Sequence, residues 1–215
     1  MLISTYDIRL WMGTPEGDKD VNPKLSYISQ AVQDFVESYT NRQLEAKRYL
    51  TDPDYSYFDG NGRDFIYLPV YPVSYVSSVH IDANREFGSG TLVASADLFW
   101  YPRDGKLVLD SDVLYRGRRT IRIDYIAGYA PIAGVVGGTH NPTVSSYPIP
   151  NDLKQTMIEM CVESIKEGIT AVHTVQPGAG GGDPRVIQML SRNSSWTNVL
   201  NKYKSFDSSL GDYDE

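Results

Sequence analysis

Two amphipathic helical segments stand on either side of a long run of short, strand-like pieces, and this order limits the folds open to the chain. Residues 23–40 begin with a proline in the first turn and carry apolar side chains at every third or fourth position. Residues 151–167 carry one apolar stripe and end before a glycine. A shorter helix is predicted at 5–12. Helices that flank a β region are typical of an α+β fold.

The middle of the chain, residues 44–126, is divided into short pieces by turns rich in Asp, Asn, Gly and Pro. Residues 120–125 alternate polar and apolar side chains, as a half-buried strand does. Strands are predicted at 44–50, 55–58, 65–68, 76–81, 98–101, 107–109 and 120–126. The predicted fold is α+β: N-terminal helices and one long helix of the C-terminal half, packed with a small antiparallel β region, plus an extended C-terminal arm.

Two segments outside these elements carry little regular pattern. Residues 127–150 form a Gly- and Pro-rich stretch, and a connection of that length usually serves a function or is disordered. Residues 176–184 predict a Gly-rich linker. We therefore divide the chain into a main domain, 1–170, and a linker with a C-terminal arm, 171–215.

The balance of charge argues against a phosphate or lipid partner for the chain as a whole. Acidic residues outnumber basic ones by 27 to 20, which gives a net charge of −7.

No signal-peptide pattern is visible, and no apolar run is long enough to cross a bilayer. The single Cys161 fits a reducing compartment and lies on the apolar stripe of residues 151–167, where a small core residue is expected.

The sequence supports no catalytic site. His80, His140 and His173 are far apart and lack the spacing of metal ligands. The glycines of residues 178–182 are not followed by Lys-Ser or Lys-Thr, so they do not form a phosphate-binding loop. We therefore assign no catalytic, cofactor-binding or metal-binding residue, and expect the chain not to be an enzyme.

Two polar segments leave more than one interpretation open. Residues 59–64 could hold calcium, but the twelfth position of an EF-hand loop would be Val70, so a tight hairpin is favoured. The basic residues of 116–119 form either a solvated hairpin end, which is favoured, or a contact with phosphates or with an acidic partner surface.

The order of several short motifs resembles that of the tailed-bacteriophage head–tail connector proteins, also called adaptor or head-completion proteins. The likeness covers roughly residues 1–170 and rests on this shared order, because each motif alone is only a helix end, a turn or a strand end. Residues 83–97 are an insertion relative to the shortest family members, and the segment after Gly168 is longer. The matching motifs are Tyr39-Thr40-Asn41-Arg42, Tyr57-Phe58-Asp59-Gly60-Asn61-Gly62, Leu68 with Pro72-Val73 and the strand 76–81, Tyr125-Ile126-Ala127-Gly128-Tyr129, and Pro150-Asn151-Asp152-Leu153.

The resemblance implies a structural virion protein, one subunit of an adaptor ring of about twelve copies that docks under the portal protein. The ring would extend the DNA channel and present a surface to a downstream neck or tail protein. Packaged DNA would pass through the lumen without sequence-specific binding during genome packaging and DNA ejection, and net acidity suits that role. The protein would be made in the host cytoplasm and reside in the virion neck, with no membrane partner. The alternative is another neck or tail component, such as a stopper or tail-terminator subunit.

The resemblance also suggests interaction residues. An apolar stripe in the C-terminal arm would dock on the portal protein or on a neighbouring subunit as a helix in a groove. We expect Trp196→Ala to weaken ring assembly, whereas a loss of monomer stability would place the stripe in the core of its own domain. Residues 127–150 are expected to reach toward the lumen or a neighbour. The candidates for portal or subunit contacts in the C-terminal arm are Arg185, Met189, Trp196, Leu200 and Tyr203, and the candidates for lumen or neighbour contacts are Arg118, Arg119 and Tyr129.

Overall fold

The computed structural model describes residues 1–14, 22–110, 113–130, 147–166 and 193–205. The chain divides into two compact units, one made of Met1–Arg42 with Ile149–Glu215 and the other of Gln43–Pro148. In the described residues the first unit is helical and the second is built mainly of strands. The predicted α+β class is therefore confirmed.

The helices of the first unit follow the sequence pattern closely. The observed bounds of the helices predicted at 5–12, 23–40 and 151–167 differ from the predicted ones by at most one residue. Residue 167, the predicted end of the last of them, lies outside the described residues. Helix α1 starts with a capping box, in which Ser4 Oγ accepts from the Asp7 backbone N–H and the Asp7 carboxylate accepts from the Ser4 N–H, both at 3.1 Å. The helices are α1 Thr5–Met12, α2 Asn22–Thr40, α3 Asn151–Lys166 and α4 Ser194–Asn201.

The core of the helical unit lies where α1, α2, α3 and α4 pack together. Phe35 and Val36 of α2 are buried, as are Leu153 and Met157 of α3. Cys161 is fully buried on α3, and burial raises the pKa of its thiol to about 12, so it is a core residue without thiolate reactivity.

In its described residues, the β unit contains every strand predicted from the sequence and two further short ones. The additional strands, β8 and β9, pair in parallel and occupy parts of the predicted loop 127–150, whose residues 131–146 lie outside the described residues. The strands are β1 Lys47–Tyr49, β2 Tyr57–Gly60, β3 Phe65–Tyr67, β4 Val73–Ile81, β5 Leu98–Tyr101, β6 Lys106–Leu109, β7 Gly117–Ala127, β8 Tyr129–Ala130 and β9 Tyr147–Pro148.

Strand β7 is the centre of the larger sheet. Strand β4 pairs antiparallel along one edge of it, while β1 and β2 share the other edge. The odd-numbered side chains of β7 point into the core: Ile121, Ile123 and Tyr125 are fully buried, and the Tyr125 ring stacks on Tyr49 with centroids 5.0 Å apart. The strict alternation of this strand therefore separates a core face from a polar face.

The smaller sheet has the antiparallel order β3–β6–β5. Because β2 pairs with β7 and β3 pairs with β6, residues 61–64 connect two sheets, and the predicted hairpin at 59–64 is wrong. In this connection Gly62 has a φ of 75°, and the Asn61 side chain accepts from the Arg63 N–H and donates to the Phe65 carbonyl, each at 2.9 Å. The turn chemistry was identified correctly, but the strands it joins take partners that are distant in sequence.

The predicted insertion, residues 83–97, lies along the outer edge of β4. The Asp82 carboxylate fixes its start by accepting from the backbone N–H groups of Asn84, Glu86 and Phe87, at 2.8 to 2.9 Å. These bonds lower the pKa of Asp82. Further on, the Val93 N–H donates to the Val79 carbonyl at 2.9 Å, which fastens the segment to β4.

Candidate interaction surfaces

The sheet β3–β6–β5 presents an aromatic outer face. Its other face contributes Ile66, Leu107 and Leu109 to the core. An antiparallel sheet with one face on a core usually carries polar side chains on the other. Here the outward positions form two cross-strand rows, which we call the aromatic sheet face: Phe65, Val108 and Phe99 in one, and Tyr67, Lys106 and Tyr101 in the next.

Several side chains of the aromatic sheet face are largely exposed: Tyr67 at 56%, Phe99 at 53% and Tyr101 at 55%. Phe65 is shielded by cations, because Lys106 Nζ lies 4.4 Å from its ring centroid and the Arg63 guanidinium carbon 5.7 Å from it. The face thus combines open aromatic area with an arginine, and both kinds of residue are enriched at interfaces.

A second apolar surface lies on α1, and we call it the α1 face. Tyr6, Leu10 and Trp11 are exposed by 54%, 68% and 53%, while Ile8, which lies opposite Tyr6 and Leu10 on the helix, is fully buried. Tyr6 and Leu10 are four residues apart and therefore share one stripe of the helix. The helix buries one side in its own unit and leaves an apolar side open.

The C-terminal helix α4 is anchored in the helical unit. Trp196 is 4% exposed and Leu200 is fully buried, and the Trp196 indole N–H donates to Glu159 Oε2 at 2.8 Å. The Tyr203 hydroxyl donates to Asp152 Oδ1 at 2.6 Å. For these three residues the structure supplies partners within the chain, so an interface role would require α4 to detach. Arg185 and Met189 lie outside the described residues.

The residues proposed for lumen or neighbour contacts differ in accessibility. Arg118 and Arg119 are exposed at the start of β7. The Arg119 N–H donates to Asp59 Oδ1 at 2.8 Å, and its guanidinium donates to the Pro53 carbonyl at 3.3 Å. Tyr129 is only 9% exposed. Its backbone N–H donates to the Leu44 carbonyl, and its carbonyl accepts from the Ala46 N–H. Arg118 and Arg119 can reach a partner, whereas Tyr129 contributes mainly to the β unit itself.

The polar face of the larger sheet carries a charged cluster that sequence analysis did not identify. Asp124, 9% exposed, accepts from the Thr51 N–H at 3.1 Å and from Ser78 Oγ at 3.0 Å, and Arg122 Nε lies 3.7 Å from the same carboxylate. Burial and the neighbouring Arg122 lower the pKa of His80, which stays neutral at pH 7. The contacts of Asp124 with Thr51 and Ser78 join the segment after β1 and strand β4 to β7.

The described residues contain no metal-binding cluster, and the pocket that they line beside the insertion has a single carboxylate. None of their His, Cys, Asp and Glu side chains forms a group of three able to hold a metal ion. A pocket of about 310 Å³ beside the insertion is lined by Leu92, Val93, Leu109 and Tyr115, with Asp97 as its carboxylate. The described lining lacks a histidine or a second carboxylate to act with Asp97. Among the described helices, none has the length and apolar character needed to span a bilayer.

The sequence contains a pattern that indicates the aromatic sheet face. Residues 65–67 and 98–101 are apolar at consecutive positions, so both faces of each strand are apolar. Such continuous runs are usual in strands covered on both sides. In this sheet one side faces the core and the other is open, which marks it as a surface that a partner could cover.

Comparison with known proteins gives a match at the level of fold. No family model matches the chain, and no curated protein does. Among solved structures, the chain is similar to a chain from the neck of an empty GTA (gene transfer agent) particle computed with C6 symmetry. The TM-score is 0.55 at 15% identity, over 95% of this chain and 90% of that one. A chain from the neck of the native GTA particle, computed with C12 symmetry, has a TM-score of 0.49 at 17% identity, over 86% and 82%.

Proposed function

We propose that this chain is a structural component of a virion neck, and more specifically a subunit of the adaptor ring that joins the portal to the tail or to the next neck protein. The observation that carries the proposal is the fold shared with a GTA neck chain over 95% of this chain and 90% of that one. The motif order of residues 1–170 predicts the same role independently of any structure. The shared fold and the motif order therefore both support a place in the virion neck.

The surfaces of the chain fit an assembly role better than a catalytic one. Tyr67, Phe99 and Tyr101 are exposed together on one sheet, and exposed aromatic clusters are typical of sites that partners cover. Internal hydrogen bonds or ion pairs engage the carboxylates of Asp7, Asp82 and Asp124. A subunit whose work is to bind other subunits needs such surfaces and no reactive group.

A ring is the expected form of the assembly. The similar neck chain belongs to a particle neck computed with C6 symmetry, and the resemblance to connector proteins implies about twelve copies. The ring would bind the portal protein on one side and a downstream neck or tail protein on the other. Its net charge of −7 per subunit would keep DNA moving through the lumen instead of adhering to it.

Arg118 and Arg119 are proposed as contacts to the lumen or to a neighbour, because both are exposed at the start of β7. The two possibilities differ in their dependence on DNA. If Arg118 lines the lumen, Arg118→Glu should leave the ring intact but alter DNA retention in filled particles. If it contacts a neighbour, the same change should reduce ring formation in the absence of DNA.

Electron microscopy of the purified protein, alone and mixed with the portal protein of the same particle, tests the proposed function. We expect a ring stacked coaxially on the tail-side face of the portal, with native mass spectrometry giving the number of copies. A stopper or tail-terminator subunit would ignore the portal and bind only a preformed neck or a tail tube. A chain that stays monomeric with every one of these partners would contradict a neck role altogether.

A further inference from the structure

Among the described residues, each unit carries an exposed apolar surface: the aromatic sheet face in the β unit and the α1 face in the helical unit. Large aromatic side chains have 150–250 Å² to bury, so half-exposed ones leave roughly 100 Å² each in solvent. Each face therefore exposes about 300 Å² of apolar area, close to the largest patch that ordinary monomers show. Two exposed apolar patches of this size on one chain lower its solubility. We therefore expect each patch to be buried against another protein surface.

A cyclic ring requires two different surfaces on every subunit. Each copy contacts the next through one surface and the previous copy through another, whereas a two-fold dimer uses one surface twice. The two faces together supply about 600 Å² of apolar area, roughly two thirds of the apolar part of a standard interface of about 1,600 Å². This area suits one contact between a sheet face and a helix face.

We propose that the aromatic sheet face of one copy packs against the α1 face of the next copy in the ring. The inference rests on the proposed function, and it specifies which surfaces form the subunit contact. The chemistry is complementary, because the sheet face contributes Lys106 and Arg63 beside its aromatic rings and the α1 face contributes the indole of Trp11. An indole is the ring that attracts a cation most strongly. Trp, Tyr and Arg are also the residues that most often dominate interface energies.

Cysteine cross-linking tests the contact directly. A chain carrying both Leu10→Cys and Tyr101→Cys is treated with a short bis-maleimide, and the native Cys161 stays silent because it is fully buried. In a ring joined by these two faces, each copy is linked to both neighbours, so the double variant gives a ladder of covalent multimers. Each single variant gives monomer only. Dimers from a single variant would show a symmetric face-to-face contact and would overturn the proposal.

Sedimentation velocity supplies a second measurement. Replacement of Phe99 and Tyr101 by Ser should lower the association constant at least tenfold, while the circular dichroism spectrum and melting curve stay those of the native chain. The matched control is Tyr115→Ser, because Tyr115 is also 55% exposed but lies outside both faces. Equal effects of the two changes would overturn the proposed surface.

The outcomes separate this inference from the proposed function. If the native chain forms rings but the double-cysteine variant gives no ladder, the surfaces are wrong and the ring subunit stands. If Tyr101→Cys cross-links to the portal protein instead, the sheet face belongs to the portal contact and the inference fails. If rings form only on the portal, the cross-linking is carried out on that complex. If no ring forms under either condition, the proposed function fails first.

Discussion

Trp11 and Trp196 show how the same side chain acquires two roles from its surroundings. Trp196 is 4% exposed on α4 and its indole donates to Glu159, whereas Trp11 is 53% exposed on α1. Truncation of a buried Trp removes its packing and leaves the Glu159 carboxylate without that hydrogen bond. Truncation of the exposed Trp removes little that folding requires.

We therefore expect Trp196→Ala to destabilise the helical unit by about 3–5 kcal/mol, and not merely to weaken assembly. Urea unfolding followed by circular dichroism at 222 nm measures this. Trp11→Ala is the matched control and should stay within about 0.5 kcal/mol of the native chain while reducing ring formation. An unchanged midpoint for Trp196→Ala would mean that α4 leaves the unit in solution.

The Asp7 carboxylate ties α1 to α3 and should make the helical unit sensitive to acid. Burial pushes its pKa up, but hydrogen bonds from Lys154 Nζ, at 2.8 Å, and from Ser4 outweigh burial and hold the pKa below 3.8. Because the pKa in the folded state is below that in the unfolded state, the carboxylate stabilises fully above about pH 4. That contribution is lost as the pH falls through the lowered pKa of Asp7.

The native chain should therefore lose helical stability as the pH falls below about 4 and through the lowered pKa of Asp7, and Asp7→Asn should lose less over that interval. The urea midpoint at 222 nm, taken at several pH values, checks this. Asp54→Asn serves as the control, because Asp54 is exposed in the β unit. A native-like decline in Asp7→Asn would assign the acid sensitivity to other carboxylates.

At the scale of elements, sequence patterns predicted the helices and strands well because their causes are local. The cap at Ser4 directly precedes α1, and the spacing of apolar residues in 23–40 lies within α2. The pairing of strands is not local: Phe58 pairs with Ile121, and no pattern within 55–64 contains that information. The hairpin at 59–64 was therefore mispredicted, although its turn residues were identified. Strands β8 and β9 are two residues each, too short to give an alternating pattern.

The same distinction explains the C-terminal stripe. The spacing of apolar residues indicates that Trp196 and Leu200 pack against an apolar surface, but it does not identify that surface. The surface that buries Trp196 includes Glu159 of α3, which is 37 residues earlier in the chain. Sequence analysis therefore found the residues of α4 and left their partner open between a portal, a neighbour and the chain itself.

The end of β2 depends on a close backbone approach that only glycine allows. A Cβ atom at Gly60 would overlap the carbonyl oxygen of Tyr115, which is backbone and cannot rotate away. Gly60→Ala should therefore destabilise the β unit by about 2 kcal/mol or more.

Gly90→Ala is the matched control, because a Cβ there would meet nothing within 4 Å. It should stay within about 0.5 kcal/mol of the native chain. Thermal unfolding followed by near-ultraviolet circular dichroism compares the two. Equal melting temperatures would show that β2 can shift away from Tyr115.

At the scale of the whole molecule, the β unit is an insertion within the helical unit. Its two ends lie side by side: Glu45 forms a bridge with Tyr129, and Tyr129 pairs with Tyr147. Domains tolerate insertions best where the ends of the inserted segment are close together.

We expect residues 43–148, expressed alone, to fold cooperatively with the strands seen in the full chain. Dispersed amide resonances and a single sigmoidal melting curve would confirm this. The Tyr125→Ala variant of the same fragment should not fold, because Tyr125 fills the centre of the core. Poor dispersion in the unaltered fragment would mean that the β unit needs the helices to fold.

The interrupted helical unit has a consequence for the order in which the protein is made. On the ribosome α1 and α2 emerge first, and the β unit of Gln43–Pro148 is translated before α3 appears. Domains tend to fold as they are synthesised, so the β unit would be complete while the apolar sides of α1 and α2 still await α3. During that interval the nascent chain would expose these sides, and we expect chaperone binding to it to end once α3 has been translated.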